Sequence, residues 1–543
     1  MTDQRRFDAI FLGRESRTGV SEGLNVLFAD LVRNLGTLGI PVAIFTTERH
    51  VQGLQAILRA NGVNVEEVEI HPLIRGNKFL ARVWPGLREK SKRVGWRTRI
   101  SRWLISAFRT DRFAARVAWL LDGNLLTLPL KLLWLLAMAV FGAAALAAAG
   151  VFGLLGLIAY SGLRLAKKLA PVVARVVPKV LRTPDGEPLA IRRHHIPMWI
   201  NRFRLAVYEQ LYYRESLHFA QTLKSRRDVR TCFFFSAFEG YVVEALGSSK
   251  KKLVVFPDAV SAVFPTRFPV DRYSRNLIAS VATSVRNADA LVCYSNYVRD
   301  RQLMRFLPSL AADKRVEVIP QGFFLGKSLS APASIKDLNK LVKEVVGGPI
   351  ERGELQFDSF DYVLYPSVDR PHKNTLTLLK AIEHLVRDHQ VNIKLITTSH
   401  GATADLQAYI QRRHLHREII FMPMLSIEKL NSLIEGALAV VHPSLAEGGD
   451  IFNFSRAASH DCPALLSDIE VAREMFERHG IRKAVYGEWL FNPTSPKQLA
   501  RKILAVRASR SDFVKEQKQA LQSLSSYSFE DMAQRYYDLY RSL

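Results

Sequence analysis

Three cysteines, Cys232, Cys293 and Cys462, are all that 543 residues contain. They are odd in number, far apart and without a CxxC pair. That excludes a disulfide scaffold or a cysteine-built zinc site and suits a reducing compartment. Acidic residues are scarce as well, 51 against 76 Lys and Arg, for a net charge of +25. Such an excess points to phosphorylated ligands, nucleic acid or an anionic membrane surface. The opening MTDQRRFDAIFLG lacks the apolar core and small-residue cleavage site of a secretory signal, so none is expected. Charge of either sign is missing from Leu132 to Leu163. A bilayer core takes about 20 apolar residues as helix, so this run is long enough to enter one. What is present is core material: 48% hydrophobic and 10% aromatic residues. Disorder, collagen and coiled coil are thereby excluded as the main theme, and the length implies several domains.

The excess charge is concentrated on both sides of the apolar run. From Arg75 to Arg116 there are thirteen Lys and Arg against two acids, with Trp84, Trp96, Trp103 and Phe108 among them. From Arg164 to Arg182 there are six more and no acid. Basic and aromatic residues also bind single-stranded nucleic acid, but beside an apolar run they fit a membrane interface with anionic lipid, so nucleic acid is not expected. Basic flanks at both ends give no orientation bias. The run has no polar turn in its middle, which favours a re-entrant or in-plane helical pair.

Outside this segment the chain alternates strands and helices. FDAIFLG (7–13), a Gly/Ser/Thr loop (14–23), a helical stretch and PVAIFTT (41–47) open a parallel α/β sheet. The pattern resumes at TCFFFSA (231–237), KLVVFPD (252–258), ALVCYSN (290–296) and VEVIPQG (316–322). A stretch from Phe324 to Asp358 has Gly, Ser and Pro scattered through it and is taken as a linker. Six further strands are expected: DYVLYPS (361–367), NIKLITT (392–398), EIIFMPM (418–424), GALAVVHPS (436–444), PALLSD (463–468) and EWLFNP (488–493). The expectation is two doubly wound lobes. The first is split into 1–70 and 201–335 by a basic, apolar insertion at 71–200. The second spans 336–515, and a final helix at 516–543 packs back on the first lobe. If 1–50 and 230–325 share a sheet, an odd number of membrane crossings is excluded. A monotopic or hairpin insertion remains.

In open α/β sheets ligands bind beyond the carboxyl ends of the strands. After 361–367 comes VDRPHKN, which sets Arg370 and Lys373 beside a helix start. That is a candidate phosphate or diphosphate site. After 436–444 comes PSLAEGGDIFNFSRAAS. Glu447 lies in a glycine turn where the amides of Gly448, Gly449 and Asp450 are candidates to face a polar ligand. His442, at the strand end before Pro443, either lines this cleft or belongs to the core.

Together and in this order these segments resemble glycosyltransferase family 4, the retaining nucleotide-sugar enzymes of the GT-B fold. The resemblance runs from about Asp361 to Leu504 and extends more faintly to Gly19, FPDAVSAVFP and NADALVCYSNYVRD. It implies that Lys373, with Arg370, holds the donor diphosphate and stabilises the leaving group. It implies that Glu447, with the Gly448 and Gly449 backbone, contacts the donor sugar, as nucleophile or as positioner. Gly19 would face the phosphates and acceptor. Two positions depart from the family. Ser455 stands where a second Glu usually holds the ribose. Pro257 stands where His often precedes Asp258, the remaining acceptor-side candidate. The implied activity is metal-independent, cofactor-free transfer from a UDP- or GDP-sugar to a glycan. The apolar insertion suggests a polyprenyl-diphosphate-linked acceptor at the cytoplasmic face of a membrane, in polysaccharide synthesis. The two departures feed the alternative of a catalytically inactive scaffold subunit of a polysaccharide assembly complex.

Overall fold

The computed structural model describes residues 6–12, 23–75, 195–268, 272–323, 339–340, 360–367, 369–399, 401–423, 425 and 427–543. Side chains of 195–206 and 272–276 are not described. The apolar run 132–163, both basic stretches, Gly19 with its loop and almost all of the expected linker lie outside these residues. The chain divides into two compact units. The larger comprises Met1–Gly13, Arg17–Arg75 and Leu217–Leu543, and the smaller is Arg14–Ser16 with Gly76–Ser216.

Two parallel sheets make up the larger unit. The first runs β3-β2-β1-β4-β5-β6-β7. Its strands are β1 (Phe7–Ile10), β2 (Val42–Thr47), β3 (Glu69–Ile74), β4 (Thr231–Phe234), β5 (Lys251–Val255), β6 (Ala290–Cys293) and β7 (Arg315–Val318). The second runs β10-β9-β8-β11-β12-β13. It is built from β8 (Asp361–Tyr365), β9 (Ile393–Thr397), β10 (Ile419–Phe421), β11 (Ala439–His442), β12 (Ala464–Ser467) and β13 (Leu490–Phe491). Every recorded pairing is parallel. Helices cover such sheets on both faces, so their strands are buried along their whole length, as β1, β4 and β11 are. The doubly wound, two-sheet architecture expected from the alternation is therefore present, and strands from both sides of the insertion share the first sheet.

Two elements differ from expectation. β3 is not among the expected strands, and most of it, Pro72 included, falls in the insertion expected from residue 71. A proline cannot donate to a ladder, and β3 sits at the sheet edge, where that is tolerated. Its register against β2 shifts between Thr46 and Thr47. The single helix expected at the C-terminus is two, Arg510–Leu524 and Phe529–Arg541. Ser528 divides them. Its side chain accepts from the Asp531 N–H while Asp531 accepts from the Ser528 N–H, a reciprocal capping box.

The last helix returns to the first sheet. Phe529, Met532, Tyr536 and Tyr540 join Phe7, Phe28 and Phe233 in one core. Tyr540 Oη donates to the Thr231 carbonyl at 3.0 Å, and the Asp8 N–H donates to Tyr540 Oη at 3.2 Å.

Candidate functional site

Strand order places the site before any side chain is considered. In the second sheet the order reverses between β8 and β11, and the loops leaving their carboxyl ends diverge around a crevice. The β8 loop carries Arg370 and Lys373, and the β11 loop carries Glu447.

The β8 loop is short because Asn374 turns it. Its φ is 55°, in the left-handed region where asparagine is among the better-tolerated side chains. The Asn374 amide donates to the carbonyls of Pro443 and Pro493 at 3.0 and 2.7 Å, and its oxygen accepts from Thr377 Oγ1. One buried side chain thus ties together the segments following β8, β11 and β13. Arg370 precedes Pro371 in extended geometry and is exposed. Lys373 ends the 3-10 turn, its carbonyl accepting from Tyr365 Oη.

Lys373 Nζ lies 2.6 Å from Glu447 Oε1. His442 Nε2 meets the same oxygen at 2.8 Å, and Asn453 Nδ2 meets His442 Nδ1 at 3.1 Å. Among the described residues nothing bonds Glu447 Oε2. The Lys373 and Glu447 side chains are 17% and 18% exposed, so the pair borders solvent while His442 is buried behind it. Burial opposes the charge on Glu447. Lys373 and His442 more than offset it and hold the carboxyl well below its usual value. Burial pushes the neighbouring His372 down to about 4, so it is neutral. Its ring stacks on Phe268 of the first lobe at 5.8 Å between centroids.

Across the crevice stand Pro257 and Asp258, beyond the end of β5. A Cβ on Gly448 would lie 2.2 Å from the Pro257 carbonyl oxygen and 3.0 Å from Asp258 Cβ. A Cβ on Gly449 would lie 2.8 Å from the Gln321 side chain. Ser295 Oγ donates to the Gly448 carbonyl at 3.1 Å. The two lobes therefore meet on the backbone of the glycine turn, which only glycine permits. Asp258 is solvent-exposed beside that contact and accepts from the Val260 N–H at 3.1 Å. Desolvation by the crevice walls pushes its carboxyl up, and Glu447 adds to this, against the pull of the Val260 N–H, Lys373 and Arg370.

The other expected residues are placed differently. The Asp450 carboxylate is buried and accepts from Arg478 Nη2 at 2.5 Å, so its side chain braces the turn from below. Burial pushes that carboxyl up to about 6, with Arg478 pulling against it. Ser455 is fully buried in the helix Phe452–Ser459, and its hydroxyl donates to the Phe452 carbonyl. Gly19 lies outside the described residues. The sequence does not single out Asn374 or Asn453, whose partners come from distant loops and from His442. Among the described residues no group of three His, Cys, Asp or Glu is placed to hold a metal ion.

Electrostatically the crevice pairs cations at the end of β8 with a carboxylate at the end of β11. The cations suit a diphosphate and the carboxylate suits sugar hydroxyls or a developing positive charge. Residues 361–508, which hold the second sheet and its helices, match the family described as Glycosyl transferases group 1. No curated protein matches the chain. Among solved structures, Anabaena HepE in complex with UDP-glucose aligns over 99% of this chain and 100% of its own, at 12% identity and a TM-score of 0.53. HepE in complex with UDP and glucose aligns over the same shares, at 13% identity and 0.52. At these identities the likeness shows the fold, which is the two-lobed GT-B arrangement.

Proposed function

We propose that this chain is a glycosyltransferase that takes a sugar from a nucleoside diphosphate and adds it to a glycan acceptor. The observation that carries the reading is the Lys373–Glu447 pair at the switch point of the second sheet, facing Asp258 across the crevice. Arg370 and Lys373 neutralise the diphosphate as the glycosidic C–O bond breaks and its electron pair leaves with the β-phosphate. This cationic pair supplies the charge compensation for which other transferases use a metal. The acceptor hydroxyl oxygen bonds the anomeric carbon and passes its proton to the departing β-phosphate oxygen, with configuration retained. Glu447 Oε2 holds a sugar hydroxyl. Donor binding breaks the Lys373–Glu447 bond, because the lysine cannot serve both anions fully. The HepE structures contain UDP and UDP-glucose, which supports a uridine donor as the first to test.

The enzyme works at the cytoplasmic face of a membrane on a lipid-linked acceptor. Support comes from the uncharged run 132–163 between basic stretches. β1 to β3 and β4 to β7 share one sheet, so both flanks of the insertion lie on one side of any bilayer. That suits a monotopic or hairpin insertion.

Thermal shift of detergent-purified protein with UDP-glucose, GDP-mannose and ADP-glucose tests the donor site. Stabilisation by one of them, lost in Lys373→Ala, is expected. No stabilisation by any, in folded protein, sinks the enzyme reading and favours a scaffold subunit. Flotation with anionic vesicles tests the membrane reading. Deleting 125–163 should abolish flotation, and unchanged flotation overturns it.

A further inference from the structure

We infer that His442 and Asn453 are positioning residues for Glu447. Asn453 locks the His442 ring with its proton on Nε2, and that ring and Lys373 clamp Oε1 of Glu447, leaving Oε2 for a ligand. This rests on the donor-site reading for its purpose, but not for its geometry.

The chemistry of the three groups leaves one proton arrangement. His442 ends β11 and is 5% exposed. The nitrogen of the Asn453 amide faces Nδ1 at 3.1 Å, and an amide NH₂ donates only. Nδ1 is therefore a bare lone pair, and the proton sits on Nε2. That N–H points at a carboxylate oxygen, which accepts only. A doubly protonated ring would turn an N–H toward the Asn453 NH₂. The charged and titratable groups facing His442 agree with a neutral ring. Burial pushes the imidazolium down, Glu447 pulls it up, and Lys373 pushes it down, for a net lowering. His372, itself neutral, is the remaining neighbour.

The consequence is directional. A carboxylate held through one oxygen by two donors from different elements, β11 and the 3-10 turn Pro371–Lys373, cannot spin about its last torsion. When donor phosphates draw Lys373 away, the His442 bond keeps Glu447 in place. A lone Lys373–Glu447 pair would let it swing. Sequence spacing does not reveal this, since a histidine before proline at a strand end is as often a core residue.

The test uses the full chain labelled with ¹⁵N-histidine. One wild-type histidine should show a bare Nδ1 and a protonated Nε2 at neutral pH, and this signal should vanish in His442→Gln. Asn453→Asp replaces the donor by an acceptor and must force a proton onto Nδ1. Its His442 signal should become that of the other tautomer or of the imidazolium, titrating at higher pH than in wild type. A wild-type ring protonated on Nδ1, or one unchanged in Asn453→Asp, overturns the inference whether or not any donor binds. The second readout is the Kd of whichever nucleotide sugar stabilises the wild type. His442→Gln keeps an N–H donor and should stay within about three-fold, whereas His442→Phe should weaken binding about ten-fold. Equal losses in both also overturn it. Failure of every nucleotide sugar to bind wild type defeats the donor-site reading instead, and the tautomer result still decides this one.

Discussion

Gly448 shows how little space the crevice leaves at the scale of one residue. A methyl there would sit 2.2 Å from the Pro257 carbonyl oxygen, a backbone atom that cannot turn aside. Gly448→Ala should therefore part the lobes locally rather than unfold either. We expect donor affinity to fall with a modest loss of stability, on the order of 1–3 kcal/mol for overpacking. Isothermal titration and chemical denaturation on the same variant measure both, and unchanged affinity would show that the lobes do not meet here. His372 makes a separate prediction in pH. Its folded value is depressed from 6.5 to about 4, by burial first. As pH falls between those values the unfolded chain takes up a proton that the folded chain refuses, so stability drops with acidification. His372→Gln should flatten the melting temperature against pH in that window, and parallel curves for the two proteins would refute it. Arg370, Lys373 and Glu447 were legible because residue type and strand-end position suffice to suggest them. His442 was ambiguous and Asn453 silent, because what each does depends on a partner brought in by the fold.

Among the elements, the β8 loop depends on one side chain. Asn374 supplies a left-handed turn and three hydrogen bonds, two of them to carbonyls of distant loops. Asn374→Ala loses the bonds and meets backbone strain, while Asn374→Gly loses the bonds alone. We expect both to destabilise, Ala more than Gly by about 1 kcal/mol, as read by urea unfolding. Equal losses would mean that the turn carries no strain. The strands β1, β2 and β4 to β13 were all legible as short runs ending in turn residues, most of them apolar because central parallel strands are buried on both faces. β3 was not: EIHPLI is half-exposed and carries a proline that only an edge position tolerates.

At the scale of the larger unit, a few polar contacts join the two lobes. Glu474, on the helix Glu470–Arg478, accepts from the Asn296 N–H and side-chain amide at 2.7 and 2.9 Å and from the Tyr297 N–H at 3.0 Å. Arg478, one turn on, holds Asp450 under the glycine turn. One helix thus links the lobe contact to the loop that carries Glu447. Glu474→Ala should shift the lobes toward an open form, seen as a larger radius of gyration in small-angle scattering and as weaker donor binding. An unchanged radius would mean that the glycine-turn contacts hold the lobes alone. The return of Phe529–Arg541 to the first sheet makes the lobes interdependent. Truncation before Phe529 would expose the apolar face of Phe7, Phe28 and Phe233, and the shortened chain should be recovered as aggregate.

The sequence alone determined the alternation of buried strands and helices, the two sheets, and the cations and carboxylate at their carboxyl ends. These follow from local pattern: short apolar runs bounded by turn residues and alternating with helical periodicity read as buried parallel strands. Only the tertiary structure decided that Lys373 and His442 share one oxygen of Glu447, and that Gly448 lies against Pro257. It alone placed Asp450 and Ser455 with their side chains turned into the protein. Those facts depend on distances between residues far apart in the chain, and a hydrogen bond or a steric contact is set within tenths of an ångström. No spacing along the sequence carries that precision.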